Sequence, residues 1–484
     1  MFYLNDGTLG GSVEDVLELI EREGAELGLH LNNQKSEIIF SDHVARATIV
    51  GTLPGARVTS PENASLLGSP IGDISTTTIL EKIRMLETMG DRLKFLFSHD
   101  AILLLRNSFA IPKLLYNLRT SPCFLSTTLQ EYDTLLMSIV SNIVNINFKL
   151  DDPAWSQATL PVKFGGLGIR SAVQLAPSAF LASAAACSDL VFHILPSRLQ
   201  SSPLPYKNEA KAQWSQGHDM SPPEGANQHH QKVWDSVRVS AASDKLLEDA
   251  PDVMSRARLL DASAHESGVW LNAPPCSSLG LRMDNNTIRV AVGLRLGCSL
   301  CKPHICHHCG ASVDALATHG LSCRWSEGRF FRHSSINDII RRALSAAKIP
   351  SRLEPSGVFR SDGKRPDGIT MVPWERGKLL VWDATCVDTL APSYASSSTS
   401  EAGAVAALAE ERKINKYAAM DPSHTFQPLA VETLGAFGPN TATFLKDLGR
   451  RIRQTSGEEK SFSYLVQRLA VAIQGYLGQR LKPR

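Results

Sequence analysis

Asp367 and Asp383 are the residues of this chain whose types and spacing most directly offer chemistry. They flank a segment that runs from Gly368 to Val372, through Pro373-Trp374-Glu375-Arg376-Gly377, and on from Lys378 to Thr385. Short β-prone runs around a Pro- and Gly-containing loop read as a hairpin. If Val372 opposes Lys378 across the loop, Asp367 opposes Asp383, and directly opposed side chains have Cβ atoms roughly 5 Å apart on one face. Two carboxylates that close repel each other unless a cation lies between them. A hard cation such as Mg2+, which takes carboxylate and water oxygens, suits that place. Downstream, the Ala-rich stretch Glu401 to Met420 reads as a helix that sets Glu410, Lys413 and Tyr417 three and four residues apart on one face. A lysine delivered from it would stabilise an attacking hydroxide or the charge developing on a phosphate. The plainer alternatives are two turn-forming aspartates at strand ends and a solvated Glu410–Lys413 ion pair. The combination of opposed acids, a helical lysine and a basic approach segment favours chemistry. That approach runs from Arg329 to Arg365, where nine arginines and lysines face only Asp338, Glu354 and Asp362.

A second cluster precedes it. Cys306, Cys309, His319 and Cys323 follow the pattern C-x2-C-x9-H-x3-C. A two-residue gap lets both thiolates of a knuckle turn reach one ion about 2.3 Å away, while a His and a Cys four apart share a helical face and close a tetrahedron. Gly310 suits the turn. The ion expected is Zn2+ in a closed, structural site that folds a core-poor segment. Cys298 and Cys301, with His304, His307 and His308 nearby, offer either a second site or alternative ligands. Crowded cysteines in a chain without secretory features point to metal rather than disulfides.

The elements that must position these groups follow from the rest of the pattern. A chain of 484 residues suggests roughly two to four domains. Its 43% hydrophobic and 20% charged residues are those of a globular protein, and its net charge of +2 argues for no partner by itself. The start carries no basic and apolar signal pattern, and the most apolar stretch, Ala179 to Leu195, is interrupted by Ser183, Asp189 and His193, so it reads as a buried or amphipathic helix. No membrane partner is expected. An α+β multidomain fold is expected, with boundaries at 1–75 (mixed, with a helix from Ser12 to Leu27 ending at Gly28), 76–195 (helical, a new helix starting at Pro112), 196–232 (Ser, Pro, Gln and His, a linker unable to bury a core), 233–297 (helical), 298–326 (the Cys/His module) and 327–484 (mixed helix and strand).

Arg365-Pro366-Asp367, Asp383 and Lys413 together resemble the PD-(D/E)xK signature of restriction-like nucleases. Thr385 holds the place of the usual lysine, so that role passes to a following helix, to Lys413 or Lys416. The order of the Cys306–Cys323 cluster, Arg332-His333 and Pro366-Asp367 resembles the C-terminal half of non-LTR retrotransposon proteins that carry a restriction-like endonuclease. Tyr3-Leu4-Asn5-Asp6 looks like the Y-x-D-D hairpin of reverse transcriptases, whose paired acids hold the catalytic metals. Gly28 to Lys35 resembles a later palm motif, and Leu66 to Gly72 the primer-grip region.

The resemblance implies a palm remnant at 1–75, a helical thumb and connector at 76–195, a helical connector at 233–297, a zinc knuckle at 298–326 and an α/β endonuclease domain at 327–484. It implies DNA contacts from Arg329, Arg332, His333 and Arg365, catalytic Mg2+ or Mn2+ on Asp367 and Asp383, and Lys413 as electrostatic partner with Lys416 or Tyr417 secondary. Glu410 joins the candidate site from the shared helical face. The implied reaction is nicking of target DNA so that the exposed 3′ end primes reverse transcription, with element RNA as a further partner and the nucleus as location. Asn5 stands where the first acid of the polymerase pair belongs, an amide binds Mg2+ more weakly, and the chain begins inside the palm; no DNA synthesis is expected. The alternative is a remnant that binds nucleic acid and cuts nothing. No G-x-S-x-G elbow supports serine hydrolase chemistry.

Overall fold

The computed structural model describes residues 2–3, 6–7, 13–28, 30–39, 53–60, 64–70, 76–195, 197, 200, 204–323, 325, 327–355 and 365–478. The described residues are mixed α and β, with many helices and small sheets. Near the start, Phe2–Tyr3 pairs antiparallel with Asp6–Gly7; Asn5 of the polymerase-like motif lies outside the described residues. The expected helix forms over Val13–Glu26.

From Thr76 onward helices dominate. Thr76–Leu93, Ile111–Thr120, Thr128–Val144 and Ala172–Ile194 pack around one apolar core that includes Leu86, Leu114, Leu136 and Leu175. Pro112 sits in the first turn of its helix, where a missing N–H costs nothing. Ala172–Ile194 is the one described helix long and apolar enough to cross a membrane. Its first half is buried against neighbouring helices, the partly buried helix that Ser183, Asp189 and His193 imply. The linker expected at 196–232 is corrected in part. Helix Lys207–Trp214 forms within it and buries Ala210 and Trp214 in the helical core. A single tryptophan supplies apolar area enough to anchor an otherwise polar segment.

The elements that carry the candidate site follow the cysteine cluster and are labelled in chain order: α1 (Glu327–Ala346), β1 (Ser351–Leu353), β2 (Gly368–Thr370), β3 (Leu379–Val387), α2 (Ala404–Lys416), β4 (His424–Glu432), α3 (Pro439–Ser456) and α4 (Ser461–Gly478). They build a four-stranded sheet in the order β4-β3-β2-β1. β3 pairs antiparallel with β2 and parallel with β4, and α2 makes the crossover between the parallel pair.

β3 is covered on both faces, and so reads as a nearly continuous apolar run rather than an alternating one. Successive side chains point to opposite faces. Leu380, Trp382 and Ala384 join Ile336 and Ile340 of α1, Phe444 and Leu448 of α3 and Leu469 of α4 in one core. The odd-numbered set, with Asp383 in its middle, faces α2.

The hairpin closes on Arg376 and Gly377, both with positive φ, as a type I′ turn requires. Gly368 pairs with Trp382 and Ile369 with Val381, the register that sets Asp367 beside Asp383. Val372 does not oppose Lys378, however. Lys378 bridges to Glu375, because the tight turn takes up its own pair and leaves 371–374 bulged. Gly368 itself is demanded by packing: a Cβ there would meet the Trp382 ring at 2.0 Å.

Candidate metal centre and zinc module

β3 and β2 deliver the acids, and α2 delivers the cations. Asp383 is 4% exposed. Its carboxylate accepts hydrogen bonds from Lys413 Nζ at Oδ1, from Lys416 Nζ at Oδ2 over 3.0 Å and from the Tyr417 hydroxyl at Oδ2 over 2.7 Å. Lys413 also donates to the carbonyl of Ala384 at 3.1 Å, so both lysines left open by the sequence converge on one acid. Tyr417 is held by stacking on Phe426, ring centroids 4.4 Å apart, and its hydroxyl lies 3.4 Å from the carbonyl oxygen of exposed Arg365. Burial pushes the Asp383 carboxyl up, but the Lys413 charge and the three donors outweigh it and hold the group below its ordinary value, as a carboxylate.

Asp367 Oδ2 accepts the backbone N–H of Ala384 at 2.6 Å and lies 2.9 Å from His333 Nε2. The hydrogen bond to Asp367 raises the His333 pKa, against the opposing effect of burial. One ligand-type atom each of His333, Asp367 and Asp383 falls within 4.8 Å of the others. The geometry thus brings together Asp367, Asp383, Lys413, Lys416 and Tyr417, and adds His333, which the sequence reading assigned to DNA contact. Its only sequence signal is its place after Arg332 on the helix preceding the hairpin.

Two expected site residues are placed away from the acids. Glu410 is 1% exposed and accepts from the backbone N–H groups of Asn440 and Thr441, from Asn440 Nδ2 and from Thr441 Oγ1, all between 2.6 and 3.0 Å. It satisfies the first turn of α3, whose N–H groups have no partner within the helix, and it neither pairs with Lys413 nor reaches the acids. Arg332 is 5% exposed and donates to the Leu321 carbonyl at 3.3 Å, which removes it from a DNA-facing surface. The basic field is also partly neutralised. Asp338 pairs with Arg341 at 2.8 Å and with Arg342 at 2.6 Å. Arg329 lies in the first turn of α1, and its side chain is outside the described residues.

The cysteine cluster assembles as its spacing implies. His304–Ile305 and Ser312–Val313 form a hairpin, Gly310 takes φ +75° in the knuckle, and helix His319–Ser322 leads into Cys323. Ligand atoms of Cys306, Cys309, His319 and Cys323 lie within 4.8 Å of one another, with Cys309 Sγ 3.1 Å from His319 Nε2. Three thiols and an imidazole at such separations fit a tetrahedral Zn2+. Slight burial raises the Cys306 thiol, but backbone N–H groups of His308 and Cys309 and side-chain bonds bring it down to about 6, favouring the thiolate a metal needs. Cys298 and Cys301 are not part of the cluster: Cys298 packs on the helical core and Cys301 bonds the Asp314 carbonyl. No protein-family model matches the chain, and no curated protein matches it.

Proposed function

We propose that this chain is a metal-dependent DNA endonuclease of the restriction-like type, related to the C-terminal half of non-LTR retrotransposon proteins. The observation that carries this reading is the convergence of Asp367 and Asp383 from paired strands with Lys413, Lys416 and Tyr417 from the crossover helix. In it, Asp367 and Asp383 hold Mg2+ or Mn2+, which supplies an activated water and offsets charge on the scissile phosphate. Lys413 and Lys416 supply positive charge beside the acid, and the Tyr417 hydroxyl orients its carboxylate. Arg365, exposed next to Asp367, contacts the DNA backbone. The Cys306–Cys323 module holds a structural Zn2+. The 1–75 region corresponds to a polymerase palm, and Asn5 supports an absence of DNA synthesis; primer extension by the purified chain would contradict that part. Element RNA as partner and the nucleus as location belong to the same proposal.

The test is nicking of supercoiled plasmid with Mg2+ or Mn2+, beside Asp367→Ala and Asp383→Ala variants that retain zinc. Loss in both variants supports the reading. The second reading, a nucleic-acid-binding protein without cleavage, is favoured by one observation: Asp383 is already compensated by two lysines. DNA binding by folded wild type without nicking under either cation would select it.

A further inference from the structure

His333 approaches the two acids from α1, whereas the lysines come from α2. Its Nε2 lies 2.9 Å from Asp367 Oδ2, and its ligand-type atom closes with those of Asp367 and Asp383 within 4.8 Å. Resting on the nuclease reading above, we propose that His333 Nε2 is the third protein ligand of the same divalent cation, and that this nitrogen makes the site select Mn2+ over Mg2+.

The helix that carries the imidazole is anchored by its surroundings. Trp382, fully buried on β3, donates its indole N–H to Asn337 Oδ1 at 3.0 Å, which ties α1 to the strand; Asn337 Nδ2 lies 3.5 Å from His333 Nε2, a contact that a cation on that nitrogen would displace. Asn337 is itself 5% exposed and one helical turn from His333. Ile336, Ile339 and Ile340 fix α1 in the core below. A ligand carried on a helix that is itself fixed against the sheet is held close to its place before the cation arrives. The strand that supplies Asp383 therefore also anchors, through Trp382 on its other face, the helix that carries the histidine.

Selectivity follows from the donor set. Mg2+ prefers oxygen ligands and keeps several of its waters. An imidazole nitrogen favours first-row transition cations over Mg2+, while two carboxylates suit the hard end of that series. One nitrogen and two carboxylates together fit Mn2+.

The experiment uses the full zinc-loaded chain, so that His319 stays committed to zinc, as wild type, His333→Ala and His333→Asp. Mn2+ binding is followed by electron paramagnetic resonance, with pulsed detection of nitrogen coupling and Mg2+ as competitor. Wild type is expected to show 14N coupling that His333→Ala loses, with Mn2+ affinity falling by about tenfold or more and Mg2+ affinity falling less. His333→Asp, an all-oxygen site, is expected to regain Mg2+ and lose the preference for Mn2+. Bound Mn2+ without nitrogen coupling, equal losses for both cations, or no Mn2+ binding by the folded chain overturns the proposal. Nicking without nitrogen coupling removes only the histidine ligand. Coupling without nicking by wild type under either cation leaves the ligand standing and removes the nuclease reading.

Discussion

Arg332 Nη2 donates to the carbonyl oxygen of Leu321 across 3.3 Å, joining the start of α1 to the helix that leads into Cys323. The guanidinium is therefore a brace between the cysteine module and α1, whereas Arg365 stands exposed beside Asp367. Arg332→Ala is expected to lower thermal stability while leaving the salt dependence of DNA binding unchanged. Arg365→Ala should reduce the slope of log affinity against log salt by about 1, the signature of one lost phosphate contact. Anisotropy titrations on a short duplex at several salt concentrations measure both. A slope change in folded Arg332→Ala would return that residue to the DNA interface.

Glu410 binds the first turn of α3 rather than a cation. Replacing it with Ala strands the buried N–H of Thr441, at an expected cost of roughly 1–3 kcal/mol, and leaves the Asn440 N–H to water. Denaturant unfolding should show that loss, with nicking reduced only in proportion to the folded fraction. Abolished nicking in Glu410→Gln at unchanged stability would mean the carboxylate takes part in the reaction.

Asp261 and Glu432 form a buried acid pair where helix Val253–Ala262 meets the end of β4. Burial first, and then the neighbouring Glu432 charge, hold the Asp261 pKa well above its ordinary value, and burial raises Glu432 as well. The folded chain thus binds protons that the unfolded chain releases. Stability should accordingly fall as pH rises from the ordinary carboxylate range up to the raised pKa values. Asp261→Asn cannot ionise, yet it retains an oxygen for Ser267, Thr389 or Ala436, which contact the native carboxylate. Its melting temperature relative to wild type should improve between pH 5 and pH 8; a constant difference across that range would show that the pair does not titrate there.

Zinc should be found at about one ion per chain by elemental analysis and be lost in Cys309→Ser. The module's strands are two residues each, and its apolar contacts, Val313, Ala317 and Leu321, face a small cluster shared with Val290 and Leu294. So little packing cannot hold the segment alone. Chelation is expected to expose its amides to rapid hydrogen exchange while β3 and α4 stay protected. Unchanged exchange after metal removal would show that the module folds without an ion.

The parts of the site legible in the sequence were those set by local geometry. A tight hairpin fixes which residues oppose each other, so Asp367 and Asp383 could be paired although the turn closes on Arg376 and Gly377 and displaces Val372. Ligand spacing within the cysteine module was legible for the same reason. Contacts between distant elements were not. His333 and Asp367 are 34 residues apart, and Glu410 reaches Thr441 across 31. Helical periodicity tells which face a residue occupies but not what arrives there. The Lys207–Trp214 helix was missed because averaged polarity hides one large aromatic ring. The division of the α+β chain into palm, thumb, linker, knuckle and nuclease remains a reading of motifs.

The alternation along β3 has a consequence for folding fidelity. Trp382 and Asp383 are adjacent, one committed to the apolar core and the other to the charged face. A one-residue slip of this strand against its neighbours would drive a carboxylate into hydrocarbon and an indole among lysines. Such a register is too costly to persist, so misfolded copies with a nearly correct cutting centre should be rare. The strand proofreads itself: a molecule that has folded at all has also aligned its acids.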